Sequence, residues 1–245
     1  MRLNTDKIFI IHYTPLKKRK EKMDSQMSTL DNEHFYIEEF DKENLSSELI
    51  SGYYDTRQEA HDNKIAPLWD PNIHTYRRLN NAELSCTIKH IEAIGKVGRE
   101  CPNHGLILED DALLEDNFAE SFNFFLSKTP KDWDVILMGA GCGEWFINHK
   151  LEGEQPVFTS DSLGSPSIFK APHPATNCAE AYLIKPQAAT QVYQGAVPFN
   201  LVSDWEMAYQ FYKLDLNVYW WTPPLVTQGS KDGTYYSTLD EGQRR

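Results

Sequence analysis

Cysteine is scarce in this chain and scattered. Its 245 residues include four cysteines, Cys86, Cys101, Cys142 and Cys178. None forms a Cys-x-x-Cys pair or a Cys/His zinc pattern, which argues against a zinc module and against a disulfide-stapled scaffold. Positive charge is also in short supply. There are 24 Lys and Arg against 36 Asp and Glu, for a net charge of −12. With no basic stripe, nucleic acid is not expected as a direct partner. The one basic cluster, Lys17-Lys18-Arg19-Lys20, is followed by Glu21 and Asp24. It reads as a solvated helix start, or as a local cationic patch beside a phosphate. No apolar run is long enough to span a bilayer. Met1 to Asp6 is polar, and the apolar stretch behind it, Lys7-Ile8-Phe9-Ile10-Ile11, is too short for a secretory signal. The expectation is a cytoplasmic protein with reduced thiols. Internal repeats and linkers are absent too, so one domain over 1–245 is expected.

What is present is a globular composition, 40% hydrophobic, enough for a substantial core. Ile8 to His12 reads as a first buried strand. Pro15 opens a charged helix to about Leu30, and Phe35 to Phe40 reads as a second strand. Residues 46–80 are polar and weakly periodic, with Gly52, Pro67 and Pro71. They predict a long irregular excursion with at most one short helix, a kind of segment that is often functional. Residues 82–98 have helical periodicity, with Leu84, Ile88 and Ile91 on one face and Glu83, Cys86, His90, Ile94 and Val97 on the next. Asp116 is placed to cap a helix that buries Phe118, Phe122 and Phe125. Trp133 to Met138 reads as a strand, as does Ala179 to Ile184, which leads into a helix between Pro186 and Gly195. Ser203-x-x-Glu206 has the form of a capping box, predicting a helix from Asp204. Leu216 to Trp221 is the last clear strand. Strands alternating with helices give an α/β domain with a mostly parallel sheet.

The chemistry concentrates at Glu109-Asp110-Asp111, which ends the apolar run Leu106-Ile107-Leu108. Three carboxylates at the end of a buried strand are costly unless something cationic meets them. Ligands of open α/β sheets bind at the strands' C-terminal edge. Alternation along the strand points Glu109 and Asp111 to one side and Asp110 to the other. Two readings stand: a solvated strand end, or an acid-x-acid site for a divalent ion carrying a diphosphate.

Several segments, in this order, resemble glycosyltransferase family 25, which includes bacterial lipooligosaccharide transferases and collagen galactosyltransferase domains. Ile8-Phe9-Ile10-Ile11-His12 with Arg19 is similar to the family's opening strand and arginine-bearing turn. Glu38-Glu39-Phe40-Asp41 resembles its second strand end, with Lys42 where glycine is usual. Glu83-Leu84-Ser85-Cys86-x-x-x-His90 resembles its glutamate-cysteine-histidine helix, with Ala82 in place of glycine and Lys89 in place of serine. Leu106 to Asp111, Trp133 to Gly139, Ala181-Tyr182-Leu183-Ile184, Asp204, and Pro223-Pro224-Leu225-Val226 with Gln228 are similar to its later motifs. The resemblance covers nearly the whole chain except residues 46–76. It implies a single GT-A (Rossmann-like) domain, a UDP-sugar donor (usually a UDP-hexose), inversion at the anomeric carbon, and Mn²⁺ (or Mg²⁺). A glycan hydroxyl would be the acceptor, with membrane contact only peripheral and through that acceptor.

Hard oxygen ligands suit such an ion, and stabilising a departing diphosphate suits its Lewis acidity. Asp111 is expected as a direct ligand. Glu109 is expected to hold the ion through water or to contact the ribose, and Asp110 to orient the loop or face the donor sugar. The C-terminal histidine ligand of many GT-A enzymes has no counterpart after His173, so Gln228, Ser230 or water would take its place. The resemblance puts His12, Arg19, Asp41, Glu83, His90 and Asp110 at the donor. For Glu83 and His90 the alternative is a set of buried hydrogen bonds, and for Arg19 a salt bridge. Asp204 is the candidate base, with Glu180 and Asp134 behind it. The alternative for Asp204 is a favourable charge at a helix N-terminus, where its pKa would be lowered. The Gly139-Ala140-Gly141-Cys142-Gly143 loop would allow close backbone approach. It lacks the Lys and Ser/Thr of a P-loop, which argues against triphosphate hydrolysis. Tyr235-Tyr236 is a candidate acceptor contact. Two other classes would use the same acids: a non-catalytic nucleotide-sugar or carbohydrate-binding protein, and a metal-dependent hydrolase. The hydrolase would need further regularly spaced His or Asp ligands.

Overall fold

The computed structural model describes residues 1–141, 147, 149–161, 165–174 and 179–237. The elements run β1 (Lys7–Ile11), α1 (Lys17–Met27), β2 (His34–Ile37), α2 (Ser47–Tyr53), α3 (Gln58–Ile65), α4 (Asn81–Glu100), β3 (Gly105–Glu109) and β4 (Ala112–Leu114). They continue with α5 (Phe118–Lys128), β5 (Val135–Leu137), β6 (Phe158–Thr159), β7 (Ser167–Lys170), β8 (Ala181–Ile184), α6 (Pro186–Ala196), α7 (Ser203–Lys213), β9 (Val218–Thr222) and β10 (Val226–Gln228).

Eight strands form one sheet in the order β2-β1-β3-β8-β5-β9-β7-β6. The pairs β1–β2, β1–β3 and β5–β9 are parallel, while β8 runs antiparallel between β3 and β5. The α/β class expected from the sequence is therefore present, in a mixed sheet whose parallel half is β2-β1-β3. The central strands are continuous apolar runs because both faces are covered. Ile8, Ile10, Leu106 and Leu108 pack with Met23 and Met27 of α1 and with Phe118, Phe122 and Phe125 of α5. Phe9, Ile11 and Ile107 point the other way, into Ala93, Ile94 and Val97 of α4, Ala188 and Val192 of α6, and Met207 of α7. A separate antiparallel pair, β4 with β10, sets Gln228 opposite Ala112 and so beside the acidic strand end.

The 46–80 segment is more ordered than predicted. It holds α2 and α3, and Tyr54 packs with Leu84, Ile88, Ile91 and Phe199 in an apolar cluster of its own. Weak periodicity hid these helices because each is short and buries few residues. Two helix starts also differ from expectation. Asn117, not Asp116, precedes α5, and it makes no side-chain cap bond. Ser203 and Glu206 form no capping box; α7 starts at Ser203 after an uncapped Val202. The Glu206 carboxylate instead accepts two hydrogen bonds from Lys64 Nζ, at 2.7 and 2.8 Å. A capping box does form at α4, where Asn80 and Glu83 satisfy each other's backbone N–H groups.

Candidate functional site

The ends of β1 and β3, the first half of α4 and the residues after β10 converge on one cavity of about 190 Å³. Its walls include His12, Arg19, Cys86, Lys89, the three consecutive carboxylates Glu109, Asp110 and Asp111, and Ser230. The strand-edge location expected for a ligand in an open sheet is thus where this cavity lies.

Asp110 is fully engaged. Its Oδ2 faces His12 Nδ1 at 2.7 Å and accepts the Tyr13 N–H at 3.2 Å, and its Oδ1 accepts Arg19 Nη1 at 2.8 Å. The second Arg19 amine donates to the Tyr236 carbonyl at 2.7 Å, and the Tyr235 ring covers the guanidinium at 5.2 Å. Of the basic run in α1, Arg19 alone turns inward, while Lys17 and Lys18 are not buried. Asp110 therefore ties the β1 turn and the C-terminal segment to the acidic strand end.

Glu109 is held from two sides. His90 Nε2 lies 3.1 Å from its Oε1, and Gln228 Nε2 donates to its Oε2 at 3.0 Å. His90 is fully buried, and its Nδ1 lies 3.1 Å from the Tyr182 hydroxyl. Cys86 Sγ, a His90 nitrogen and a Glu109 oxygen come within 4.8 Å of one another. Both His90 nitrogens already have partners, so the histidine acts by fixing Glu109.

Asp111 and Glu180 differ from these. Each is nearly inaccessible, and Asp111 Oδ1 and Glu180 Oε2 have no hydrogen-bond partner among the described residues. Burial and the neighbouring Glu109 push the Asp111 carboxyl up to about 6, against a hydrogen bond from Ser230 and the charge of Arg19. Burial pushes Glu180 up to about 8, against the Gly141 N–H, which donates at 2.5 Å, and Glu109 and Asp111 add to the rise. A Cβ at Gly139 would overlap the Glu180 carboxylate, so only glycine leaves room for it there. Asp204, in the first turn of α7, is pushed up to about 6 by burial, with the Trp205 N–H opposing and Glu109 reinforcing. Helix-start geometry was expected to lower this carboxyl; desolvation outweighs it.

This donor set fits a hard divalent cation. Buried carboxylate oxygens that lack a donor, on Asp111 and Glu180 beside the Glu109 carboxylate, are the positions a cation would satisfy.

The remaining expected residues lie around this centre rather than in it. Asp41 is buried behind Lys89, whose Nζ donates to its Oδ1 and to the His12 carbonyl, and Thr14 donates to its other oxygen. Burial raises the Asp41 carboxyl, but Lys89 and Thr14 outweigh it and the net shift is downward. Glu83 does not reach the cavity, because it caps α4 and pairs with Arg77 at 2.5 and 2.8 Å. Asp134 accepts the Asn217 N–H at 2.9 Å, at the end of β5 away from the acids. Cys142 and Gly143 lie outside the described residues. Sequence reasoning missed Lys89 as the partner of Asp41, although a lysine amid the apolar positions of α4 was the available signal. It also missed the orphaned oxygen of Glu180, for which no local signal exists.

Among the described residues, no helix is long and apolar enough to cross a membrane. The family model of glycosyltransferase family 25, described as an LPS biosynthesis protein, matches residues 5–207. No curated protein matches the chain. Among solved structures, the chain is similar to mouse xyloside xylosyltransferase 1 in its apo form. That similarity has 11% identity and a TM-score of 0.33, over 86% of this chain and 70% of that one.

Proposed function

Since the chain belongs to glycosyltransferase family 25, we propose that it is an inverting, metal-dependent enzyme of GT-A type that moves a hexose, galactose or glucose, from a UDP-sugar to a glycan hydroxyl. The observation that carries this reading is the pair of buried, unpartnered oxygens on Asp111 and Glu180 beside Glu109, at the strand edge next to the Arg19 cavity. Asp111 and Glu109 would hold Mn²⁺ or Mg²⁺, with Glu180 behind them and Gln228 steering Glu109 through its amide. When bound, the ion supplies Lewis-acid stabilisation of the departing diphosphate.

The chain's own residues do the rest. Lys42, Lys231 and Arg19 line the cavity and supply positive charge to a diphosphate. Asp110 and His12 keep Arg19 and the β1 turn in place. His90 orients Glu109. Asp204 takes the proton from the acceptor hydroxyl as that oxygen bonds to the anomeric carbon. The bond from that carbon to the β-phosphate oxygen breaks, and UDP leaves with the electron pair. A carboxyl raised by burial is a stronger base than an ordinary aspartate. Free thiols at Cys86 and Cys101 support a cytoplasmic setting, with membrane contact arising through a lipid-borne acceptor.

The test is UDP release from a panel of UDP-sugars, with Mn²⁺ and with chelator, for the wild type and Asp111→Ala. Metal-dependent release from one sugar, lost in the variant, is the expected result. If the wild type neither binds UDP nor releases it from any UDP-sugar, the donor assignment is wrong.

A further inference from the structure

The residues described so far serve the donor, and Asp204 alone faces the question of the acceptor. The residue after it, Trp205, belongs to an aromatic group outside the cavity lining. Its indole stacks on Trp69 at 5.2 Å and 21°, and it meets the His74 ring edge-on at 4.5 Å and 75°. Trp69 and His74 come from the excursion between β2 and α4, the stretch that carries none of the motifs quoted for the resemblance. All three rings are only half-buried, and none belongs to an apolar core cluster.

The group is held firmly. Lys64, near the end of α3, donates to both oxygens of the buried Glu206 in α7 at 2.7 and 2.8 Å, and Glu206 also accepts the Asn200 N–H at 3.2 Å. Asn200 Nδ2 donates to the Asp55 carbonyl at 2.9 Å, and the His173 ring contacts the Leu68 carbonyl at 3.0 Å. The excursion is thereby fixed to the helix that carries Asp204. The spatial sequence is continuous: Cys86 lines the donor cavity, its sulfur lies 3.8 Å from Ser203 Oγ, and Asp204 and Trp205 follow.

We propose that Trp69, His74 and Trp205 form the acceptor subsite, a platform for the C–H face of the terminal pyranose of a glycan, with Asp204 at its edge. This rests on the glycosyltransferase reading with Asp204 as base. Aromatic faces suit this ligand because a pyranose presents an apolar patch of C–H groups while its hydroxyls remain available for hydrogen bonds. A rigid, pre-organised platform binds without first losing side-chain freedom.

The test needs no donor. Methyl β-D-galactopyranoside, methyl α-D-glucopyranoside and N-acetylglucosamine are titrated into the full chain while tryptophan emission is followed, and UDP binding is measured separately by equilibrium dialysis. The platform requires a saturable emission change with at least one glycoside. Its affinity should fall about tenfold or more in Trp69→Ala and stay near wild type in Trp69→Phe, with UDP binding unchanged. If Trp69→Ala does not fold, His74→Ala carries the comparison, with a loss of several-fold expected. Unresponsive wild-type emission overturns the proposal, as does a saturable response that survives both alanine variants. Loss of UDP binding by the wild type would sink the donor assignment instead, and the emission titration would still decide the platform.

Discussion

Replacing Asp111 with asparagine in metal-free protein tests the electrostatics of the site directly. The folded carboxyl titrates at about 6 rather than 3.8. Between roughly pH 4 and 6 the fold therefore binds more protons than the unfolded chain, and stability falls as pH rises through that window. The contribution is fully present below about pH 4 and gone above about pH 6. At about 1.4 kcal/mol per pKa unit, the stability forgone at neutral pH is on the order of 3 kcal/mol. That is an upper bound, because part of the shift is shared with the neighbouring Glu109 carboxylate. The amide of Asp111→Asn would not titrate, but it weakens the Ser230 hydrogen bond and the 3.6 Å contact with Arg19, a loss of about 1 kcal/mol. At pH 7.5 in chelator the variant is expected to be more stable by on the order of 1 to 2 kcal/mol, or about 2 to 8 °C for a chain of this size. At pH 4.5 that advantage should vanish. Mn²⁺ at a hundredfold excess over its Kd should then stabilise the wild type by about 2.7 kcal/mol and the variant by far less. Urea midpoints at the two pH values, with chelator and with Mn²⁺, read all of this. A variant less stable than wild type by the same amount at both pH values would refute the reasoning, since Asp111 would then carry no charge strain.

Lys89→Met should destabilise the protein by about 3 to 5 kcal/mol, because it leaves the buried Asp41 carboxylate without its cation. Adding Asp41→Asn should recover a large part of that loss in urea unfolding, and no recovery would mean that the two residues are not coupled. Asp204→Asn should lower kcat by about 10² to 10⁴ with UDP affinity retained. At saturating Mn²⁺, which keeps Asp111 ionised, the wild-type rate should fall as pH drops below about 6, where Asp204 becomes protonated, while the residual rate of the variant stays flat across that range. Wild-type turnover in Asp204→Asn would rule it out as the base.

The acidic strand end was legible in the sequence because charge at the end of a buried apolar run has few explanations, but strand alternation did not carry past it: β3 ends at Glu109, Asp110 and Asp111 lie in the turn that follows, and Arg19 Nη1 approaches both, at 2.8 and 3.6 Å. Glu206 was not legible, and a comparison with Glu83 shows why. Asn80-x-x-Glu83 and Ser203-x-x-Glu206 have the same local form, yet only the first closes a capping box. What diverts Glu206 is Lys64, brought across by the folding of the excursion, and no local pattern encodes that. Glu180 was weighed only as a reserve base, since its burial follows from β8 entering the sheet between β3 and β5. Asp204 fails as a simple helix-dipole case for the same reason: position in a helix is local, desolvation is not.

The distribution of cations around the site carries the last step. The two basic side chains most deeply placed there, Lys89 and Arg19, make their closest contacts with Asp41 and Asp110, the carboxylates flanking the centre. Arg19 approaches Asp111 only at 3.6 Å, and among the described residues Glu180 has no basic partner within ion-pair distance. Had neutralisation been the only requirement, a basic side chain at either position would have met it, and the raised carboxyls of Asp111 and Glu180 would be ordinary ones. The fold instead pairs the outer carboxylates internally, which fixes the β1 turn and the C-terminal segment, and leaves the inner ones desolvated with no cation among the described residues in direct contact. Such a centre is unfavourable by itself and favourable once a cation from outside completes it, so the residual strain is a measure of how strongly the site should discriminate metal-bound from metal-free protein.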